Sequence, residues 1–214
     1  MAHQLYKLIQ EGEHIHQDFK YCVNDSKKIA KSLVAFANTE GGRLLLGVKD
    51  NGKIAGVRSE EEFYMIESAA TIYCKPSISF SIKQWQTEGK TVLEIQVEPS
   101  NNKPHFAKDE NAKWIAYVRV NDENCIAPKI LLNVWRNQKK PVHFTLSDHE
   151  KMLVDFLAQN DTVSLSKFTR IAHISRLKAE EVLTNLTTLN IINIQVSNAG
   201  TSFKLNSEYL KNGQ

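Results

Sequence analysis

The chain has 214 residues, of which 42% are hydrophobic and 24% charged, and its formal net charge is +3. This composition is that of an ordinary globular protein and excludes a disordered or fibrous chain. No run approaches the roughly 20 apolar residues needed to cross a bilayer, and the first ten residues lack the pattern of a secretory signal. We therefore expect a cytoplasmic protein with no membrane partner.

The first clear pattern in the sequence predicts a helix followed by a strand. Apolar residues at helical spacing predict the strongest helix over residues 25–38, with Asp25 or Ser26 as its N-cap. Gly41 and Gly42 end it, and a tight turn into the next strand explains this pair; close approach to a phosphate is the alternative. A phosphate loop is excluded because no Gly-Lys-Ser/Thr follows. Three lysines lie outside the apolar side of this helix: Lys27, Lys28 and Lys31.

The next segment predicts an irregular mixture of strands and helices. Strands are expected over residues 43–49 and on the far side of Asn51-Gly52 through Val57, since Asn-Gly between apolar runs is a strong hairpin signal. A helix should end near Cys74. Alternation then predicts strands over residues 78–85, 92–97 and 114–120. Without a regular βαβ repeat, this pattern predicts an α+β domain.

After Pro128 the sequence becomes helical again, and residues 138–141 indicate a linker. We expect two domains, at residues 1–140 and 141–214. The second is predicted to contain three helices followed by a hairpin, which is the winged-helix arrangement. The predicted helices cover residues 147–159, 165–172 and 175–189, and the strands cover 191–196 and 202–205.

The three cysteines do not indicate a disulfide framework or a zinc site. Cys22, Cys74 and Cys125 are odd in number, widely spaced and without a CxxC pair. Reduced thiols are expected.

Several short motifs carry a family resemblance. They are Gly12-Glu13, Asp18-Phe19-Lys20, AFANTEGG at residues 35–42, Gly47-Val48, Lys103-Pro104-His105 and Tyr117-Val118-Arg119-Val120. Through them residues 10–137 resemble the Schlafen/AlbA-like domain family, which is often labelled DNA-binding or divergent ATP-binding in bacteria. Bacterial members often carry a winged-helix tail. The sequence departs from the family at Asp18, where Glu is common, and at Asn121, where Gly is usual.

The same resemblance implies, as an alternative, a metal site. In some eukaryotic Schlafen relatives three acids form a metal-dependent RNA-cleaving site, and Glu13, Asp18 and Asp50 match their positions. Carboxylates are hard ligands for Mg²⁺ or Mn²⁺, which activate water for phosphodiester cleavage. Under this alternative the three acids are both metal ligands and catalytic residues. Asp50 also suits the turn that Asn51-Gly52 predicts.

Basic residues of the first domain favour binding to phosphates. The candidates are Lys20, Arg43, Lys49, Lys103 and Arg119, which we expect on one face. Arg119 is the main candidate, with an ion pair to a neighbouring acid as its alternative role. His14 and His16 are either ligands or ordinary surface residues.

In the second domain the third predicted helix would enter the major groove of DNA. Arg176 and Lys178 lie at its start, and Lys167 and Arg170 on the preceding helix would lie near the backbone. Glu180 and Glu181, together with a wing turn that lacks Lys and Arg, weigh against this interpretation.

These observations predict a nucleic-acid-binding protein, specifically a DNA-binding transcriptional regulator that needs no cofactor. DNA is favoured over RNA, and a homodimer is expected from the frequency of symmetric dimers among regulators. One alternative is a metal-dependent endoribonuclease that uses Mg²⁺ or Mn²⁺ on structured RNA such as tRNA. Another is a protein-interaction or dimerisation module.

Overall fold

The computed structural model describes residues 2–57, 59, 61–139 and 146–212. The chain divides into two compact units, Met1–Ala127 (unit 1) and Pro128–Gln214 (unit 2). The boundary predicted from the sequence, at residues 140 and 141, lies outside the described residues. The division falls earlier because Ile130 and Val134, in the helix that follows Pro128, are buried in the core of unit 2.

Unit 1 is an α+β domain. Its helices are α1 (Ala2–Glu11), α2 (Ser26–Asn38) and α3 (Glu61–Thr71). Its strands are β1 (Gln17–Lys20), β2 (Gly42–Leu46), β3 (Cys74–Lys75), β4 (Ser81–Thr87), β5 (Lys90–Val97), β6 (Phe106–Lys108), β7 (Trp114–Ile115), β8 (Tyr117–Val120) and β9 (Glu123–Ile126).

The main sheet of unit 1 has four strands in the order β1-β2-β5-β4. Strands β1 and β2 are parallel, and the other neighbours are antiparallel. Leu44 and Leu46 of β2 pack in one cluster with α2, whereas Leu45 packs with Leu5 of α1 in another. Successive side chains of a strand point to opposite faces, so α2 and α1 cover opposite faces of this sheet.

The adjacent glycines at the end of α2 are explained by a tight turn. Gly41 has φ +76°, and a Cβ there would lie 2.8 Å from the Val97 carbonyl oxygen. At Gly42 a Cβ would clash with the Phe36 ring. The pair therefore permits close packing between α2, β2 and β5.

The hairpin predicted around Asn51-Gly52 forms only in part. Val48 and Ile54 form an isolated bridge across the turn. The described residues 53–57 contain no second strand. The prediction was wrong because Gly47 and Gly56 have φ of +94° and +82°, which interrupts extended backbone on both sides of the turn.

The single strand predicted over residues 114–120 is two strands in different sheets. Strand β7 pairs with β6, and β8 pairs with β9. Asn121 starts the turn between β8 and β9 with φ +53°. Asn adopts this left-handed conformation more readily than most residues, which explains how it replaces the family's usual glycine.

Unit 2 contains the three helices and the hairpin predicted from the sequence. Its helices are α4 (Lys129–Asn137), α5 (Asp148–Gln159), α6 (Leu165–Ile171), α7 (Arg176–Thr188) and α8 (Ser207–Asn212). Its strands β10 (Val163–Ser164), β11 (Ile192–Ser197) and β12 (Gly200–Leu205) form an antiparallel sheet in the order β10-β12-β11. Phe168, Leu183 and Phe203 are buried in its core. Within the described residues, each helix is too short or too polar to cross a membrane.

Candidate nucleic-acid interface

A buried polar cluster in unit 1 is centred on Asp18, which is 3% exposed. The Asp18 carboxylate lies 3.0 Å from Lys20 Nζ, accepts a hydrogen bond of 3.0 Å from Ser32 Oγ and lies 3.4 Å from Arg119 Nη2. The Arg119 side chain is 1% exposed and also donates to the Gln17 carbonyl oxygen at 3.1 Å. Arg119 is thus an internal partner of Asp18. Its prediction as a phosphate ligand does not agree with this burial.

Glu13 completes this cluster and is protonated more readily than Asp18. Its Oε1 accepts a hydrogen bond of 2.8 Å from the Phe19 amide, and its carboxyl group is hydrogen-bonded to Asp18. Burial and that hydrogen bond raise the pKa of Glu13. Burial also acts to raise the pKa of Asp18, but the Lys20 ammonium, the Glu13 carboxyl and Arg119 outweigh it and lower that pKa.

The three acids proposed as metal ligands do not form a three-ligand site. In the part of the chain that the structure describes, no group of three His, Cys, Asp or Glu side chains is arranged to hold a metal ion. Asp50 is exposed on the turn after β2. The oxygens of Asp18 already contact the buried Ser32 and Arg119 and the partly exposed Lys20. These residues therefore do not fit Mg²⁺ or Mn²⁺ held jointly by Glu13, Asp18 and Asp50.

The two candidate histidines are directed to separate acids. His14 Nε2 lies 3.7 Å from Glu11, and His16 Nε2 lies 3.3 Å from Glu40. Their rings meet edge to face with centroids 6.1 Å apart. They are partly exposed residues that flank the polar cluster.

The family motifs converge on a hydrogen-bond network beside α2. Asn38 Nδ2 donates to the carbonyl oxygens of His105 and Tyr117 at 2.9 Å each, and Asn38 Oδ1 accepts from the His105 amide at 2.8 Å. Thr39 Oγ1 accepts from the Arg119 amide at 2.8 Å. These bonds hold α2 against the segments that contain β6 and β8, which gives the motif residues a structural role.

The other predicted cations of unit 1 are not gathered on one face. Lys20 lines a cleft beside α2, while Arg43 lines a different groove beside α1, on the other side of the sheet. Lys49 Nζ lies 5.1 Å from the centre of the Tyr21 ring. Lys103 Nζ donates to the Thr39 carbonyl oxygen at 2.8 Å, and burial lowers the pKa of this lysine.

Lys20 and four further lysines line a cleft of about 460 Å³ between α2 and the β6–β7 hairpin. We call it the lysine cleft. Its cationic residues are Lys20, Lys27, Lys28, Lys31 and Lys108. Among the described residues, no carboxylate forms an ion pair with Lys27, Lys28 or Lys31. The positive charge on this wall is therefore available to an anionic ligand.

Local sequence explains how α2 presents these lysines. Asp25 caps the helix, accepting a hydrogen bond of 2.9 Å from the Lys27 amide. Ile29 and Leu33 are buried, so the neighbouring Lys27, Lys28 and Lys31 lie outside the apolar face of the helix. Lys31 Nζ lies 5.0 Å from the centre of the Tyr117 ring, a cation–π contact that positions it at the cleft.

In the sequence, Lys27, Lys28 and Lys31 are recognisable only as the polar side of a helix. Lys108, which comes from the hairpin on the opposite wall, carries no such signal. The helical pattern around residues 25–38 was the available signal for one wall. No local pattern connects that wall to the hairpin.

In unit 2 the predicted DNA-reading helix is α7, and its cations are paired on the same helix. Arg176 Nε lies 3.2 Å from Glu180, and Lys178 Nζ lies 3.1 Å from Glu181. Lys129 of α4 also approaches Glu180 at 2.7 Å, so α4 lies along one side of α7. This arrangement offsets much of the positive charge expected at the start of α7.

The cations of α6 remain exposed. Lys167 and Arg170 are both on the surface, and Lys167 Nζ lies 5.0 Å from the centre of the Phe156 ring. The turn between β11 and β12 has no Lys or Arg at residues 198–202. Among the four basic residues predicted to contact DNA, the two on α6 are therefore the ones without an ion pair in the described residues.

These features define unit 1 as an α+β domain in which helix α2 forms the basic wall of a cleft. Hydrogen bonds of Asn38 and Thr39 hold the end of this helix to the neighbouring segments. The family model described as Schlafen, AlbA_2 matches residues 13–128. The chain belongs to this family. No curated protein matches the sequence.

Two solved structures show weak similarity. The DIP2311 protein from Corynebacterium diphtheriae is 14% identical with a TM-score of 0.46, over 74% of this chain and 40% of that one. This chain thus spans less than half of the DIP2311 structure. The N-terminal domain of a RecG-related protein from Nitrosomonas europaea is 19% identical with a TM-score of 0.41, over 68% of this chain and 95% of that domain.

Proposed function

We propose that this protein binds nucleic acid and that the lysine cleft of unit 1 is the site of contact with phosphates. The observation that carries the proposal is the group of lysines on α2 that face the cleft without carboxylate partners among the described residues. Membership of the Schlafen, AlbA_2 family supports a nucleic-acid-related function.

The electrostatics of the cleft favour a polyanion. Lys27, Lys28 and Lys31 lie within two turns of α2, so their ammonium groups attract phosphates from one direction. Neutralising a phosphate releases condensed counterions, and the logarithm of the binding constant then falls with the logarithm of salt by about 0.7 to 0.9 per contact. Binding should therefore weaken steeply as salt rises.

The test is a titration of the full chain against fluorescently labelled DNA and RNA, followed by anisotropy at two salt concentrations. The variant is the double substitution Lys27→Gln and Lys31→Gln. We expect weaker binding and a salt slope smaller by about 1 to 2. The matched control is Lys53→Gln, which removes an exposed lysine that does not line the cleft. Equal losses in variant and control would contradict the proposal.

A second candidate role is that of a DNA-binding transcriptional regulator. Its support is the order of helices and hairpin in unit 2, together with the exposed cations of α6. In this role a winged-helix domain would dock on duplex DNA. We expect Lys167→Gln with Arg170→Gln to weaken duplex binding, and Lys151→Gln on α5 serves as the control. Unchanged duplex affinity in the double variant would exclude this use of α6.

The ribonuclease alternative is tested in the same preparation. Labelled tRNA is incubated with Mn²⁺ or EDTA, and binding through lysines is expected to persist in EDTA. Metal-dependent cleavage that Asp50→Ala abolishes would contradict a role limited to binding.

A further inference from the structure

The α2 wall of the lysine cleft is mainly cationic, and the turn of the β6–β7 hairpin is mainly acidic. Lys27, Lys28 and Lys31 line the α2 wall beside the cap residue Asp25, whereas the hairpin contributes Lys108 of β6 and then Asp109, Glu110 and Asn111 of the turn. A phosphate is attracted by the lysines and repelled by the carboxylates of the turn. A ligand that extends from the α2 lysines to the turn is best matched when it is anionic at the first end and offers hydrogen-bond donors at the second.

The hairpin wall is held in place by its own hydrogen bonds. Asp109 Oδ1 accepts from the Lys113 amide at 2.7 Å, and the Asp109 amide donates to the Lys113 carbonyl oxygen at 2.8 Å. Glu110 and Asn111 are exposed at the tip of this turn and line the cleft. Their oxygens are thus presented to a ligand by a defined turn.

The size of the cleft limits the ligand. A volume of about 460 Å³ lies in the range of sites for small molecules or single ligand groups. In a DNA double helix the bases are paired within the stack, so a duplex would offer this cleft its backbone and not a free base edge. One nucleotide with an unpaired base has the right polarity, because its phosphate is anionic and its base edge carries hydrogen-bonding groups.

We propose that the lysine cleft binds an unpaired nucleotide of a nucleic-acid strand, with its phosphate against α2 and its base edge against the hairpin turn. This inference rests on the proposed function and specifies its ligand. Bases that are not in a duplex expose their full hydrogen-bonding edge. Cytosine offers an exocyclic amino group to a carboxylate, whereas the one donor of unpaired thymine, its N3–H, lies between two carbonyl oxygens that repel a carboxylate. The Glu110 carboxylate therefore favours cytosine over thymine.

The experiment measures anisotropy of the full chain with labelled strands of equal length. The ligands are oligo-dC, oligo-dT, and a mixed-sequence strand both alone and in a blunt duplex with its complement. We expect the single mixed-sequence strand to bind about tenfold more tightly than its duplex. We also expect oligo-dC to bind about tenfold more tightly than oligo-dT. Equal or tighter binding of the duplex, or equal binding of the two homopolymers, would overturn the inference.

Two variants separate the contributions of the walls. Glu110→Ala should reduce the preference for oligo-dC over oligo-dT, because it removes the base acceptor, while Glu67→Ala on the surface of α3 should leave the preference intact. Lys27→Gln with Lys31→Gln should weaken both homopolymers by a similar factor. One outcome is that the unsubstituted protein binds duplex and single strand equally and that the lysine variant weakens both by the same factor. In that case only the unpaired-nucleotide inference fails, and the proposed function stands. If no strand binds, the proposed function fails as well.

Discussion

The Asp18 carboxylate and the Arg119 guanidinium are 101 positions apart in sequence and lie 3.4 Å apart inside unit 1. Arg119 also donates to the Asn124 side chain at 3.0 Å. This arrangement connects β1 with the β8–β9 hairpin. Arg119, the main cationic candidate from the sequence, therefore stabilises the domain, while Lys27, Lys28 and Lys31 line the cleft without carboxylate partners among the described residues.

Removing the Arg119 charge should destabilise unit 1. Arg119→Met leaves the buried Asp18 carboxylate without one of its cationic partners, so we expect the free energy of unfolding to fall by about 3–5 kcal/mol. Urea denaturation followed by circular dichroism measures this change. Lys20→Met is the comparison, since the Lys20 side chain is 34% exposed and its loss should cost less. A smaller effect for Arg119→Met than for Lys20→Met would contradict the structural role.

Asp18 should make stability sensitive to acid. Its pKa in the folded protein is below the ordinary value of 3.8, so the unfolded chain takes up the proton first as pH falls. The carboxylate therefore contributes stability above pH 3.8, and this contribution declines as pH falls toward the folded-state pKa. Denaturation curves collected below pH 5 should show this decline. In Asp18→Asn the decline of stability caused by protonation of Asp18 should be absent. A pH profile equal to that of the unsubstituted protein would show that Asp18 is not the cause of the decline.

Glu13 should have the opposite effect on stability. Its pKa in the folded protein is raised above the ordinary value of 4.5, so its contribution is fully present below that pH and is lost as pH rises through the folded-state pKa. Glu13→Gln keeps an acceptor for the Phe19 amide without a titrating proton. We expect its stability to decline less than that of the unsubstituted protein as pH rises from 4.5 toward neutrality. Parallel profiles for the two proteins would argue against a raised pKa.

The close packing at Gly42 predicts a steric effect. Gly42→Ala places a methyl group against the Phe36 ring, so the free energy of unfolding should fall by about 1–3 kcal/mol. The same substitution should cost less in a Phe36→Leu background, where the ring is absent. Thermal or urea unfolding of the four proteins in this cycle measures the coupling. Equal costs in both backgrounds would show that the ring is not the cause.

Local patterns predicted the elements whose determinants lie within one short segment. Helix α2 has its cap, its apolar spacing and its terminating glycines within residues 25–42, so its position followed from the sequence. The hairpin around Asn51-Gly52 was predicted from an equally local signal, but the conformations of Gly47 and Gly56 prevented a second strand. A turn signal fixes a reversal of the chain without fixing the pairing that follows it.

The site depends on contacts between distant segments. Lys31 and Lys108 line one cleft because α2 packs beside the β6–β7 hairpin, an arrangement that no spacing in the sequence encodes directly. Arg119 was singled out by its motif, but its burial depends on where β1 places Asp18. Sequence alone therefore identified residue types suited to phosphate binding and could not distinguish exposed cations from internal ion pairs.

The most direct test of the central claim is lysine protection. The full chain is treated briefly with an acetylating reagent, with and without saturating nucleic acid, and the modification of each lysine is measured by mass spectrometry. Our account predicts that nucleic acid protects Lys27, Lys28 and Lys31, while the exposed Lys53 and Lys83, which lie outside the cleft, react equally in both samples. Unprotected cleft lysines, with nucleic acid bound, would contradict the account.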